Sequence, residues 1–230
     1  MSSQTPSNSH TRANSLSRQL GVYFLLAVVF VAGLLLALNQ LAGLMGTATQ
    51  EAQAVDFANN SISAVLREEP PQLDSSKATD STSGLVLGHI MEGLLRMDLQ
   101  DRLGPAIAER WEVMPTQATF WLRKDAKWSD GKAITAADFI FAWQLALKPE
   151  TGSEYASLLY PIENAEAINS GVLPASALGV SAPDPQTLVV KLSRPTAFFD
   201  KLVVFPTFLP IREDFYNATQ GRFGSDAKDL

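Results

Sequence analysis

Residues 121–143 read WLRKDAKWSDGKAITAADFIFAW, and this run holds three of the chain's four tryptophans. It constrains the fold more than any other stretch because its hydrophobic period changes partway along. ATFWLRK, from Ala118 to Lys124, alternates with a period of two, as a strand with one buried face does. Ser129-Asp130-Gly131 follows as a tight turn, since Asp-Gly tolerates the positive φ such turns need. From Ala136 the apolar residues recur at helical spacing, with Phe139, Ile140, Trp143, Ala146 and Leu147 on one face. Thr135 is the expected N-cap, its hydroxyl placed to take an orphan N–H. Asp138, three residues on, sits in the first turn, where a carboxylate is favoured. Lys148-Pro149 ends the helix, because the residue before proline is pushed out of the α region. A strand, a turn and a helix in so short a span require a mixed α/β unit. Trp121 and Trp143 are expected in its core, and Trp128, beside the turn, partly exposed.

A second feature sits upstream. Leu20 to Leu38, LGVYFLLAVVFVAGLLLAL, has no charged or strongly polar side chain. Nineteen residues of helix span about 29 Å, close to the roughly 30 Å hydrocarbon core of a bilayer. With no polar face it does not suit a globular helix. An uncleaved signal anchor fits the length. A cleaved signal peptide is the alternative, with Ala52-Gln53-Ala54 as a cleavage pattern lying well beyond the apolar run. In either case Arg12 and Arg18 stay cytoplasmic and the body is exported. Residues 1–18 read as a disordered cytoplasmic tail, 19–44 as the anchor or signal segment, with residues 20–38 in the membrane, and 45–60 as a linker.

Composition excludes several function classes. The net charge is −6, and Arg12 and Arg18 are the only charged residues of the first fifty. The remainder therefore carries sixteen basic against twenty-four acidic residues, a balance opposed to a nucleic-acid partner. Without cysteine there is no disulfide, thiolate metal site, Cys nucleophile or lipid-modified N-terminal cysteine. The two histidines, His10 and His89, do not make a zinc site. No nucleophile–base–orienter set is visible, so an enzyme is not expected, and neither is a cofactor. Acid pairs such as Asp98/Asp101 and Glu163/Glu166 read as solvated carboxylates.

Elsewhere, SISAVLRE (Ser61 to Glu68) reads as a strand, and LVLGHIMEGLLRMD as one amphipathic helix from about Gly84 carrying Leu87, Ile90, Met91, Leu94 and Leu95 into a turn. Gly104-Pro105 reads as a turn, and AIAERWEVM as a short helix or turn leading into a strand. A helix is expected over about Ile162 to Asn169, closed by Gly171. LPASALGVSAPDP reads as a loop with a short helical turn, and TLVVKL (Thr187 to Leu192) as a strand. TAFFDKLVVF reads as a short helix with Pro195 near its first position, and the stretch after it as holding no finished element.

The ordered run from Trp111 to Lys191 resembles the family 5 extracellular solute-binding proteins, the oligopeptide-binding components of ABC importers. WEV followed by FWLRKDAKWSDGKAITAADFIFAW, the segments EGLLRMD and PAIAERWEV, and KPETGSEYASLLYPIENAEAINSG and LGVSAPDPQTLVVKLSRPTAFF all match that pattern. The resemblance runs from about Asp56 to Phe215. It implies a periplasmic binding protein-like α/β fold, two lobes closing around an extended peptide that is passed to a membrane permease with no bond broken. On this reading 61–103 starts lobe I, 104–210 is a subdomain inserted beside the cleft, and 211–230 returns to lobe I. The second lobe, which in the family carries the acidic partner of the peptide's N-terminus, is expected to be absent. The chain then stands as an incomplete peptide-binding protein, periplasmic and held by its N-terminal helix, with peptides and an ABC permease as partners. A membrane-anchored interaction or sensing module that kept only the first lobe is the alternative.

The resemblance also supplies the ligand-facing candidates. Glu92, Gly93 and Leu94 match the segment lining the first lobe's cleft edge, and Gly93 allows a peptide backbone to approach closely. A glycine there is equally an ordinary helix terminator. Tyr155 matches a family tyrosine near the peptide, its ring suited to a cleft wall; an exposed loop aromatic is the plainer alternative.

Overall fold

A computed structural model describes residues 22–23, 25–40, 55–63, 65–66 and 68–222. The expected tail 1–18, the first part of the linker and residues 223–230 lie outside the described residues. The chain divides into two compact units, Met1–Val65 and Leu66–Leu230.

In the first unit residues 25–40 are helical (α1), with apolar side chains such as Phe30 and Leu36 exposed. Among the described residues no helix is long and apolar enough to cross a membrane. Strands β1 (Val55–Asp56) and β2 (Ser61–Ile62) pair antiparallel. Their turn is held by the Asp56 carboxylate, which accepts the N–H groups of Ala58 at 3.0 Å and Asn59 at 3.2 Å. Among the described residues the strand expected over Ser61–Glu68 is confined to Ser61–Ile62, paired with β1.

The second unit opens with helix α2 (Ser81–Ile90). It starts before Gly84 because Asp80 caps it, Oδ1 accepting the Ser83 N–H at 2.8 Å. It also stops early. Met91 is extended at φ −125°, ψ 154°, and Leu95–Met97 form strand β3, paired antiparallel with β4 (Leu103–Pro105). The single helix expected through Leu95 is corrected by this pairing, and so is the turn expected at Gly104-Pro105. The turn lies at 98–102 instead, where the Asp98 carboxylate accepts the N–H groups of Gln100 and Arg102 and Asp101 takes φ +57°.

Strands β5 (Ala108–Met114), β6 (Gln117–Leu122), β7 (Val180–Asp184) and β8 (Thr187–Lys191) make an antiparallel sheet in the order β5-β6-β8-β7. AERWEVM is thus strand throughout, where a short helix or turn leading into a strand was expected over AIAERWEVM. Its register with β6 sets Trp111 opposite Phe120 and Val113 opposite Ala118, which places both on the core face. VSAPD, expected as loop, is the edge strand β7, where Pro183 needs no ladder donor.

Helix α3 (Ala136–Leu147) lies in the same core as the buried sheet residues Phe120, Leu122, Leu188 and Val190. Its N-terminus is built as expected: the Asp138 carboxylate accepts the Thr135 N–H at 2.7 Å, completing a capping box. Gly131 takes φ +87° in the predicted turn, closed by Gly131 N–H to the Trp128 carbonyl at 2.9 Å. A chain of rings links the elements: Phe139 to Trp143 at 6.4 Å between centroids, Trp143 to Phe208 at 5.4 Å, Phe208 to Phe199 at 6.1 Å and Phe199 to Phe120 at 6.4 Å. Trp143 also donates its indole N–H to the Phe208 carbonyl at 3.1 Å.

Helix α4 (Ala165–Asn169) starts three residues later than expected because Ile162 bridges to Leu192 and Asn164 takes φ 68°. Gly171 closes it at φ +74°. Helix α5 (Phe199–Leu202) begins four residues after Pro195, which is not its first residue. Helix α6 (Glu213–Ala218) forms where no element was expected. Ahead of it, Arg212 pairs with Asp130 and Asp214, and Lys132 with Asp214, each at 2.5 Å, tying α6 to the Asp-Gly turn.

The tryptophans divide by register. Trp143 is fully buried, as expected. Trp121 is not in the core: it stands opposite Arg110 and Thr187 on the sheet's other face, half-buried, with the Arg110 guanidinium 3.4 Å above its ring. Trp128 is half-buried, its indole N–H enclosed beside the Asp138 carboxylate.

Candidate functional site

The candidate residues lie around helix α2. Before its N-cap, the carbonyl of Thr79 accepts the Tyr155 hydroxyl at 3.3 Å. Tyr155 precedes a short 3-10 turn (Ala156–Leu159) and leaves 42% of its surface exposed. Past the other end of the helix come Glu92, Gly93 and Leu94. Ten residues of α-helix measure about 15 Å, so Tyr155 and Glu92 do not meet at one point but stand at the two ends of α2, whose length is the candidate edge. The helix exposes Leu85 and Ile90, which point about 140° apart around its axis, and seats its inner face through Leu87 in a small cluster with Ala78 and Leu209.

Glu92 is ion-paired. Its Oε2 lies 2.5 Å from Nη2 of Arg123, with side-chain exposures of 45% and 33%. Arg123 reaches Asp125 through Nη1 at 3.2 Å and donates from Nε to the Ala106 carbonyl at 3.1 Å. Partial burial works against its charge, but the hydrogen bonds to Glu92 and Asp125 outweigh that and raise the guanidinium above its ordinary value.

Gly93 is not a helix terminator. The helix has already ended at Ile90, and the capping residue is Met91 in extended conformation. Nor does the fold require glycine there: an added Cβ would meet Leu209 Cδ2 at 3.4 Å and the Val203 carbonyl at 3.7 Å, ordinary contacts. Its carbonyl accepts the Ile107 N–H at 3.0 Å, and that of Leu94 accepts the Ala108 N–H at 2.9 Å, which joins this segment to the start of β5. The Leu94 side chain is fully buried in the main core.

Of the four candidates, then, Glu92 and Gly93 are neighbours at one end, Tyr155 stands at the other, and Leu94 faces inward. Two further residues join them that sequence reasoning did not single out. Arg123 sits in the signature run itself, where its strand position gave no hint of a partner. Thr79 sits in a loop rich in capping residues.

Residues 102–228 match the family described as bacterial extracellular solute-binding proteins, family 5, middle region. Over 189 residues the chain is 38% identical to a periplasmic oligopeptide-binding protein of Salmonella typhimurium, covering 80% of this chain and 34% of that protein. Over 147 residues it is 38% identical to a probable deoxycholate-binding periplasmic protein of Escherichia coli, covering 62% of this chain and 28% of that one. Among solved structures, the substrate-binding domain of an oligopeptide ABC transporter from Bacillus anthracis superposes with a TM-score of 0.70 at 42% identity, covering 72% of this chain and 32% of that one. The chain spans about a third of the length of the proteins it matches.

Proposed function

This chain belongs to the family 5 bacterial extracellular solute-binding proteins, and from that premise we propose that it binds oligopeptides outside the cytoplasmic membrane for delivery to an ABC permease, with no bond chemistry. The observation that carries the reading is the edge along α2. Its two ends hold a half-exposed tyrosine and a glycine that the fold itself does not need. About 15 Å of edge accommodates four to five residues of extended peptide at roughly 3.3 Å each. Tyr155 offers a ring and a hydroxyl, and whichever of Leu85 and Ile90 faces the ligand offers apolar contact beside it. Leu94 supports the edge from inside the core.

In this reading 61–103 and 211–230 belong to lobe I and 104–210 to the subdomain beside the cleft, while residues 20–38 hold the protein at the membrane. A second ligand class is favoured by one observation: a relative of equal identity is named for deoxycholate. An amphiphile of that kind would use the same apolar residues of α2.

Isothermal titration of the full chain with tri- to pentapeptides and, separately, with deoxycholate tests both. Saturable heat with peptides supports the first reading, and saturable heat with deoxycholate alone assigns the edge to the second. No saturable heat with either overturns both.

A further inference from the structure

Glu92 does not present a free carboxylate to the edge it borders, because Arg123 holds it at 2.5 Å. Arg123 is itself fixed by two side-chain anchors other than Glu92. Nε is on the Ala106 carbonyl and Nη1 is on Asp125, whose side chain is 81% exposed and turned to water. Its backbone N–H also bonds the Ile107 carbonyl at 2.9 Å, one residue from the strand start that Gly93 and Leu94 join. These contacts hold the guanidinium in place beside Glu92.

We propose that Arg123 is a specificity-determining residue: by pairing with Glu92 it holds the group of Glu92, Arg123 and Asp125 to a single net negative charge, placed on the solvent-facing Asp125, so that the Gly93 end does not select strongly for cationic ligand side chains. The proposal rests on the peptide-binding reading above. Removing either partner changes the charge at the edge, and the two removals have opposite sign. Arg123→Gln leaves a bare Glu92 and favours a cationic ligand. Glu92→Gln leaves Arg123 paired with the solvent-facing Asp125, a group of zero net charge, and shifts preference away from cationic and toward anionic ligands. For partly exposed charges the change is up to about fivefold in affinity, the size of a surface charge pair.

The test is titration of wild type, Arg123→Gln, Glu92→Gln and Arg123→Lys with Ala-Lys-Ala, Ala-Ala-Ala and Ala-Glu-Ala. It is run at about 0.1 M and about 1 M salt, where the screening length drops from roughly 10 to roughly 3 Å. The ratio of Ala-Lys-Ala to Ala-Glu-Ala affinity should rise in Arg123→Gln, fall in Glu92→Gln and return to the wild-type value in Arg123→Lys. Both shifts should collapse at high salt, which a merely structural role would not produce. Ratios that stay within about twofold of wild type, or that move the same way in both variants, overturn the proposal while leaving peptide binding intact. If wild type binds none of the three peptides, the peptide reading fails and this proposal fails with it. Arg123→Lys also guards against misfolding: a loss of all binding in Arg123→Gln alongside an unchanged Arg123→Lys would count as a structural role and overturn it.

Discussion

Replacing Trp143 by phenylalanine tests whether the signature tryptophans are scaffold or ligand platform. The side chain is fully buried and contacts Phe139 and Phe208 edge-on, at 6.4 and 5.4 Å between centroids. Its indole N–H satisfies the Phe208 carbonyl at 3.1 Å. Phenylalanine keeps one ring but removes that donor, leaving a buried acceptor unpaired at a cost of about 1–3 kcal/mol. The smaller ring also leaves a void in a close-packed core, for about 1 kcal/mol more. The expected total is about 2–4 kcal/mol, a large part of the roughly 5–15 kcal/mol that holds a typical domain. Urea unfolding followed by far-ultraviolet circular dichroism measures it without relying on the fluorophore being removed. Trp121→Phe is the internal control. That residue lies on the sheet's other face, half-buried under Arg110, and phenylalanine keeps a weaker cation–π stack there, so the loss is at most about 0.5–1 kcal/mol. A Trp143→Phe loss below about 1 kcal/mol, or a larger loss from Trp121→Phe, would refute the assignment of Trp143 to the packing that joins α3 to the segment at Phe208.

Glycines give an opposed pair of outcomes by thermal melting. Gly88 is exposed in the last turn of α2 with nothing near an added Cβ, so Gly88→Ala should stabilise by up to about 0.5–1 kcal/mol. At Gly179 an added Cβ would lie 2.6 Å from Glu163 Cβ, so Gly179→Ala should destabilise by about 1–3 kcal/mol and lower the melting temperature. Acid titration of stability should show two opposite contributions. Asp130, held by the Lys132 N–H and then by Arg212, and Asp214, held first by the Lys132 ammonium, both have carboxyls lowered below the ordinary 3.8. Their stabilisation is present above 3.8 and lost as pH falls through the folded values, and Asp130→Asn should flatten that acid limb. Asp138 runs the other way: burial raises its carboxyl against the hydrogen bonds from Thr135, so the folded state holds its proton more tightly and stability declines as pH rises above 3.8 toward the folded value. Asp138→Asn should remove that decline in urea midpoints measured across the same range.

Local chemistry was enough for the strand–turn–helix unit. Asp130-Gly131 supplies the positive φ, Thr135 and Asp138 cap α3, and Pro149 stops it, each through neighbours within a few residues. Where those cues were weak, distant pairing decided. EGLLRMD has apolar spacing that suits a helix, yet Leu95 pairs with Pro105 and the segment becomes strand. AERWEVM is drawn flat by β6, and that register sends Trp111 inward and Trp121 to the opposite face. The candidate site divides in the same way. Glu92, Gly93 and Tyr155 were legible as residue types in a familiar order. Their partners were not, because Arg123 lies 31 residues from Glu92 and Thr79 lies 76 from Tyr155. Sequence alone determined the family, the α/β class and the capped helix, since turn, cap and period act over one or two turns of chain. Only the tertiary structure decided that Glu92 is neutralised, that Leu94 faces the core and that the candidates stand at two ends of one helix, since those facts depend on which distant segments the sheet brings together.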